Sequence, residues 1–150
     1  MSTPARVAFG ALLSLVLMMA SSCGVGQKQS GLPAGTQATI DTVTSDLARG
    51  DYEKIYADAA EEWRQTARAE ESRANLERIR QTLGSVLSRA QLSAQERGDG
   101  GSGDSGQGRM LVVSYNTKFE RADAIETFTL VEREGRWSLA RYAVNSNALR

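Results

Sequence analysis

The sequence predicts an α+β domain in which three N-terminal helices pack on an antiparallel sheet of about four strands. Between Arg109 and Val144 apolar and polar residues alternate, which is the period of a half-buried strand. Between Thr36 and Leu83 apolar residues recur every three or four positions, which is the period of an amphipathic helix. A sheet with one apolar face needs a cover, and we expect these helices to supply it.

The helices are placed by their caps and apolar stripes. The first begins near Thr36, a candidate N-cap, and ends at Gly50. The second begins at Asp51, and its apolar face continues to Trp63. The third runs from about residue 67 to 83 and ends at a glycine.

The strands follow the helices. The first is predicted over residues 85–96, and the next three over 109–120, 121–134 and 135–144. Glu134-Gly135 marks a tight turn between the last two, since glycine accepts the positive φ that hairpin loops require.

Strand parity assigns side chains to faces of the sheet. In the last strand, Trp137 and Leu139 share one face, and Tyr142 and Val144 share the opposite face. In the strand before it, Glu126 shares a face with the large apolar residues and is expected to point inward.

The segment Gly98–Gly108 is rich in glycine and leaves three interpretations open. It fits a long hairpin connection, which its composition favours. It also resembles one copy of a calcium-binding glycine-aspartate repeat, with Asp104 one position early. As a phosphate-binding loop it lacks a lysine in the right place.

The N-terminus has the organisation of a secretory signal. Residues 7–20 are almost wholly apolar, which is long enough for a signal peptide and too short to span a bilayer. The small residues 20–22 and Cys23 that follow resemble a bacterial lipobox. The resemblance implies cleavage before Cys23 and a diacylglyceryl group on its thiol. The alternative is an ordinary secretory cleavage site beside a cysteine.

These features divide the chain into four parts. We expect a lipoprotein signal peptide at 1–22, the acylated Cys23 with a flexible tether at 23–35, one α+β domain at 36–146, and a C-terminal tail at 147–150. The protein is then anchored in the membrane of a bacterial cell envelope. In a Gram-negative cell, Gly24 instead of aspartate after the cysteine favours the outer membrane, facing the periplasm.

Composition excludes several classes of function. The chain has no histidine and one cysteine, so histidine-dependent triads and histidine zinc sites are excluded, and with Cys23 acylated no cysteine nucleophile remains. The 18 basic and 18 acidic residues balance, which argues against a nucleic-acid partner. We expect no metal and no cofactor, although a site made of carboxylates alone stays open.

Glu126 is the most interesting titratable residue, because an inward carboxylate can serve as an acid or a base. Arg141 shares parity with Trp137 and is a candidate partner, and Tyr56 and Tyr142 could supply hydroxyls. Glu126, Arg141 and Tyr56 are the candidate catalytic residues. The alternative is a cross-strand ion pair of Glu126 and Arg141 on the solvated face.

Aromatic residues could line a ligand pocket. The candidates are Tyr52, Tyr56, Trp63, Phe128 and Trp137. The alternative is that they are ordinary core and rim aromatics.

Four phrases of the sequence resemble a bacterial family of unknown function. They are LGSVLSR at 83–89, YNTKF at 115–119, ETFTL at 126–130 and GRWSLARY at 135–142. That family is similar to the nuclear transport factor two superfamily, whose curved sheet folds around helices into a cone. The resemblance implies a cone-like fold with a pocket between sheet and helices, which serves catalysis in some members and binding in others.

Three hypotheses of function follow, in order of preference. In the first, the anchored domain binds an envelope protein or forms a homodimer, through an apolar patch of Ile125, Val131 and Tyr142 on the outer sheet face. In the second, it is a carrier or sensor of a small molecule with an internal pocket. In the third, it is an isomerase or hydrolase of the cone-fold type that depends on Glu126.

Overall fold

The computed structural model describes residues 31–97 and 108–150. The signal peptide, Cys23 and most of the glycine-rich segment, residues 98–107, lie outside them. The elements are α1 (Thr36–Arg49), α2 (Tyr52–Ala57), α3 (Glu61–Thr66), α4 (Ala69–Leu83), β1 (Val86–Arg97), β2 (Arg109–Phe119), β3 (Asp123–Arg133), β4 (Arg136–Asn145) and a 3₁₀ turn (Asn147–Leu149). The predicted α+β class is confirmed.

The four strands form one antiparallel sheet in the order β1-β2-β3-β4. All four predicted strands are present, with bounds within a few residues of those expected. The turn between β3 and β4 has positive φ at both central residues, 53° at Glu134 and 75° at Gly135, as a two-residue hairpin loop requires.

The predicted second helix is two helices, α2 and α3. The chain leaves the helical path at residues 58–60, and the amide of Ala60 donates instead to the carbonyl of Leu139 on β4, at 2.9 Å. A long-range backbone hydrogen bond therefore replaces an intrahelical one, and α3 lies against the edge of the sheet.

The predicted faces of the last strand are wrong beyond Leu139. Thr129 pairs with Arg141, but Leu130 pairs with Leu139, so β4 has one extra residue, Ala140, in a bulge. The extra residue reverses parity, and Tyr142 joins Leu139 in the core while the side chain of Arg141 is exposed.

The core lies between the helices and one face of the sheet. Its most deeply buried apolar side chains include Leu76, Leu83, Leu111, Val113, Phe128 and Leu130. Both ends of the predicted domain extend further than expected. Leu32, from the predicted tether, and Leu149, from the predicted tail, pack against this core. Gly35 with φ 85° is the N-cap of α1, whereas Thr36, the predicted cap, donates its hydroxyl to Pro33 O.

Candidate functional site

Glu126 on β3 is fully buried and accepts four hydrogen bonds. Arg89 donates from Nε to Oε2 at 2.5 Å and from Nη2 to Oε1 at 3.0 Å. The hydroxyl of Thr117 donates to Oε2 at 2.5 Å, and that of Tyr142 to Oε1 at 2.5 Å. The side chain of Glu126 is 0% exposed and that of Arg89 is 22% exposed. We call these four residues the Glu126 cluster.

Strand register brings the cluster together. Arg89 on β1 lies opposite Thr117 on β2, and Tyr115 on β2 lies opposite Glu126 on β3. Thr117 is therefore diagonal to Glu126, within reach of a cross-strand contact. On β4, Tyr142 lies opposite Phe128, so it is diagonal to Glu126 from the other side. The bulge adds one residue, Ala140, to β4. Because of this extra residue, the side chain of Tyr142 faces inward.

The cluster shifts the pKa values of two of its members, Arg89 and Tyr142. Burial lowers the pKa of Arg89, but the hydrogen bonds and charge of Glu126 outweigh it, and the net direction is upward. Burial, the charge of Glu126 and the hydrogen bond to it raise the pKa of Tyr142 well above its ordinary value. Tyr142 is thus a neutral donor across the physiological pH range.

The carboxylate has little capacity left for proton transfer. A carboxylate offers about four acceptor positions, and the four donors of the cluster use two on each oxygen of Glu126. A general base needs a free lone pair directed at the substrate. Glu126 is arranged to hold Arg89 and Tyr142 in place.

A cavity of about 310 Å³ adjoins the cluster, between α1, α2, α4 and the sheet. Arg89, Glu126 and Tyr142 form its polar wall. The rest of the lining is mainly apolar, with Leu47, Leu76, Ile79, Val86 and Phe119, and also holds the polar residues Thr44, Arg80 and Ser85. Such a space, apolar with a few fixed polar groups, has the character of a small-molecule site.

Two of the three predicted catalytic residues have other roles. Arg141 is exposed and is not a partner of Glu126, because the β4 bulge turns it to the opposite face. The predicted solvated ion pair of Glu126 and Arg141 is likewise wrong. Tyr56 donates its hydroxyl to the carbonyl of Ala67, at 3.0 Å, and so ties α2 to the start of α4. Glu126 is inward-facing, as expected.

The five predicted pocket aromatics are spread over the molecule. Tyr52 lines the cavity beside Glu126. Phe128 is a core residue, in edge contact with Tyr115 at a centroid distance of 5.7 Å. Trp63 and Trp137 line two wider surface grooves of about 860 and 680 Å³. Tyr56 is the backbone-bonded residue described above.

Sequence reasoning missed Arg89 and Thr117. The signal was available for Thr117, because it lies two residues from both Tyr115 and Phe119 and therefore shares their inward face. Arg89 lies in a strand rich in alanine, glutamine and serine, and nothing local marks its side chain as half-buried.

The part of the chain that the structure describes holds neither a cluster of metal ligands nor a membrane-spanning helix. Within residues 31–97 and 108–150, no group of three or more acidic or cysteine side chains is placed to hold a metal ion. In the same residues, no helix combines the length and the apolar character needed to cross a membrane.

Comparisons with known proteins place the chain in a family. No curated protein matches it. Among solved structures, one similar to it is a crystal structure from Novosphingobium aromaticivorans to which the name scytalone dehydratase was assigned provisionally. It is 13% identical, with 75% of this chain and 82% of that chain covered and a TM-score of 0.43, and no functional conclusion follows from so loose a likeness. A family model matches residues 26–142, and the chain therefore belongs to the family described as "Protein of unknown function (DUF4019)".

Proposed function

We propose that this protein is a lipoprotein of the bacterial cell envelope, anchored through Cys23, whose domain binds a small molecule in the cavity beside Glu126. The observation that supports binding is that the cavity combines a polar wall of Arg89, Glu126 and Tyr142 with a lining that is otherwise mainly apolar. At about 310 Å³ the cavity is at the lower end of the roughly 300–1,000 Å³ typical of ligand pockets. The ligand is accordingly small.

Preorganisation supports the same proposal. Arg89 is held by two hydrogen bonds from its Nε and Nη2, and its Nη1 has no acceptor among residues 31–97 and 108–150. Because the Arg89 side chain is already ordered by Glu126, a ligand that used Nη1 would bind without the entropic cost of fixing a long side chain. The anchor at Cys23 would keep the binding domain close to the membrane.

A thermal-shift screen with a blocked cavity tests the proposal. Ala48 on α1 lines the cavity and is exposed at its rim, so Ala48→Trp should fill the space while every residue of the Glu126 cluster is kept. Ala38→Trp, on the exposed face of the same helix, is the matched control. We expect small amphiphiles to raise the melting temperature of the wild type and of Ala38→Trp, but not of Ala48→Trp. A melting temperature unchanged by every compound would contradict the proposal.

A catalytic function has less support. The hypothesis of an isomerase or hydrolase required Glu126 as acid or base, and its two oxygens are occupied by Arg89, Thr117 and Tyr142.

A second candidate function is the binding of an envelope protein or of a second copy of this chain. The exposed side chains of Leu87 and Leu92 favour it. The predicted outer patch is reduced to Ile125, because Val131 and Tyr142 are buried. However, β1 has bulges between its residues 86 and 88 and between 91 and 93, and the residues in these bulges are Leu87 and Leu92. They are 59% and 52% exposed, on an edge strand.

Bulges commonly redirect a side chain, and here both redirect a leucine to solvent. We expect Leu87→Ser/Leu92→Ser to abolish crosslinking of the anchored protein to its partner, with Ala90→Ser between them as the control. Unchanged crosslinking of the double variant would remove this candidate.

A further inference from the structure

Two arginines of the cavity lining have N–H donors without an acceptor in the described part of the chain. Arg89 donates to Glu126 from Nε and Nη2, and its Nη1 is left over. Arg80 on α4 also lines the cavity. It forms no salt bridge among the described residues, because Glu77, one turn before it, is paired with Arg73 at 3.8 Å instead.

These donors can be reached by a ligand. The side-chain polar atoms that are both fully buried and unpartnered, within the part of the chain that the structure describes, belong to Gln37, Gln91 and Tyr115. The guanidinium nitrogens of Arg80 and Arg89 are not among these atoms, and both side chains are partly exposed. Because the nitrogens are unpartnered but not fully buried, they are open to an incoming acceptor.

The charged acceptor of the lining, by contrast, is saturated. The two oxygens of Glu126 accept four hydrogen bonds. The last turn of α4, at the edge of the cavity, is capped as well. The carbonyl of Arg80 accepts from the amide of Gly84 at 2.9 Å, and that of Leu83 accepts from the amide of Arg121 at 3.0 Å. The cavity therefore offers free donors in preference to free acceptors.

The formal charge of the lining is positive. Its charged side chains are Arg80, Arg89 and Glu126, two cations and one anion. Arg89 is paired with Glu126, so the charge of Arg80 is left without a partner in the lining. Glu120 lies outside the lining and accepts from the amide of Ser85 at 2.7 Å. A ligand with a single negative charge would balance the cavity.

We propose that the ligand of the cavity is a small monocarboxylate, whose carboxylate accepts from Arg89 and is balanced by the charge of Arg80, and whose apolar body lies against the apolar lining. The inference rests on the proposed function, because it names the class of ligand for that site. A carboxylate only accepts hydrogen bonds, and its planar oxygens match the N–H geometry of a guanidinium. Glu126 already fixes the orientation in which Arg89 presents Nη1.

Other head groups fit less well. An ammonium group would add a third positive charge and would find the oxygens of Glu126 occupied. A phosphate monoester carries nearly two negative charges at neutral pH, which exceeds the one uncompensated charge of the lining. A neutral alcohol would accept from Arg89 but would leave the charge of Arg80 unbalanced.

A second space also borders Arg89 and is the alternative location for a carboxylate. It is a surface groove of about 650 Å³ whose lining includes Lys118 and Asp123. Its lining is mainly polar, so an apolar body would bury more apolar surface in the cavity beside Glu126. The two locations are distinguished by their apolar side chains, since Leu47 and Leu76 line the cavity and Ile125 lines the groove.

The test is an NMR titration of the full chain in mild detergent with three probes of equal chain length: pentanoate, pentanol and pentylammonium. We expect pentanoate to bind about fivefold more tightly than pentanol, the gain of one partly exposed charge interaction, and pentylammonium to bind most weakly. Pentanoate should shift the Nε–H resonance of Arg89 and the methyl resonances of Leu47 and Leu76.

Two arginine variants on α4 form a matched pair. Arg80→Gln should remove most of the preference for pentanoate while the binding of pentanol is retained. Arg78→Gln is an equal change of charge two residues earlier on the same helix, at an exposed position outside the lining, and should leave the preference intact.

The outcomes separate the two proposals. Equal affinity of pentanoate and pentanol, or tighter binding of pentylammonium, would overturn the carboxylate assignment and leave the cavity as a binding site. A preference that survives Arg80→Gln would overturn it as well, and so would a preference that is lost in Lys118→Gln with shifts at Ile125. If no probe shifts Leu47 or Leu76, the assignment fails together with the proposed function.

Discussion

Arg89 on β1 and Glu126 on β3 form a bidentate ion pair across the intervening strand β2, with Nε–Oε2 at 2.5 Å and Nη2–Oε1 at 3.0 Å. The two residues are 37 positions apart in the chain. Because Glu126 is fully buried, its charge is stabilised by these donors in place of water. The pair also holds the edge strand β1 in register with the rest of the sheet.

Replacement of Glu126 should therefore affect folding. We expect Glu126→Gln to lower the free energy of unfolding by about 3–5 kcal/mol, because it leaves the charge of Arg89 half-buried and without its partner. Urea denaturation measures the change, and Glu134→Gln in the exposed turn, expected within about 0.5 kcal/mol of wild type, is the control. A loss below about 1 kcal/mol for Glu126→Gln would contradict the structural role of the pair.

Two tyrosines on the same sheet face provide a matched comparison. Tyr142 donates its hydroxyl to the charged Glu126, whereas the hydroxyl of Tyr115 is buried without a partner among the described residues. Tyr142→Phe should cost about 1.5–3 kcal/mol of stability in the ligand-free protein. Tyr115→Phe should change it by less than about 0.5 kcal/mol or increase it. Equal losses from the two variants, in parallel urea titrations, would show that this distinction is wrong.

The free energy of unfolding should depend on the Tyr142 hydroxyl at alkaline pH. The pKa of Tyr142 lies well above its ordinary value of 10.0 in the folded state, because of burial and the charge of Glu126. As the pH rises above about 10, the unfolded chain releases this proton first, so the free energy of unfolding falls. We expect a steeper fall for the wild type than for Tyr142→Phe between pH 9 and about 11. Parallel curves for the two proteins would count against the raised pKa.

The lipid anchor is tested at the cysteine. Replacement of Cys23 by serine removes the only thiol of the chain, and no acyl group can then be attached through sulfur. We expect Cys23→Ser to accumulate as precursor, or as a cleaved protein released from membranes, in cell fractionation with metabolic labelling by palmitate. Normal membrane anchoring of this variant would rule out the lipoprotein proposal.

Local sequence pattern was sufficient for most of the sheet. Alternation in residues 109–133 predicted β2 and β3, and Glu134-Gly135 predicted the turn, because both are determined by neighbours in the chain. The inward position of Glu126 followed from the same parity.

The errors arose where distant residues decide the local structure. The break between α2 and α3 contains neither glycine nor proline, and it depends on the hydrogen bond from Ala60 to Leu139. The bulge at Ala140 moves Tyr142 inward and Arg141 outward, and a one-residue shift of this kind reverses every later side chain. Arg89, the actual partner of Glu126, is placed only by the pairing of β1 with β2.

Native mass spectrometry of the protein, released from its own cells' membranes in mild detergent, shows whether the cavity beside Glu126 holds a ligand. We expect an excess mass beyond that of the lipid-modified chain, of the size of a small organic molecule. It should be present in the wild type and in Ala38→Trp and absent from Ala48→Trp. A wild-type protein that carries no excess mass, or one whose excess mass is unchanged by Ala48→Trp, would contradict binding in the cavity beside Glu126.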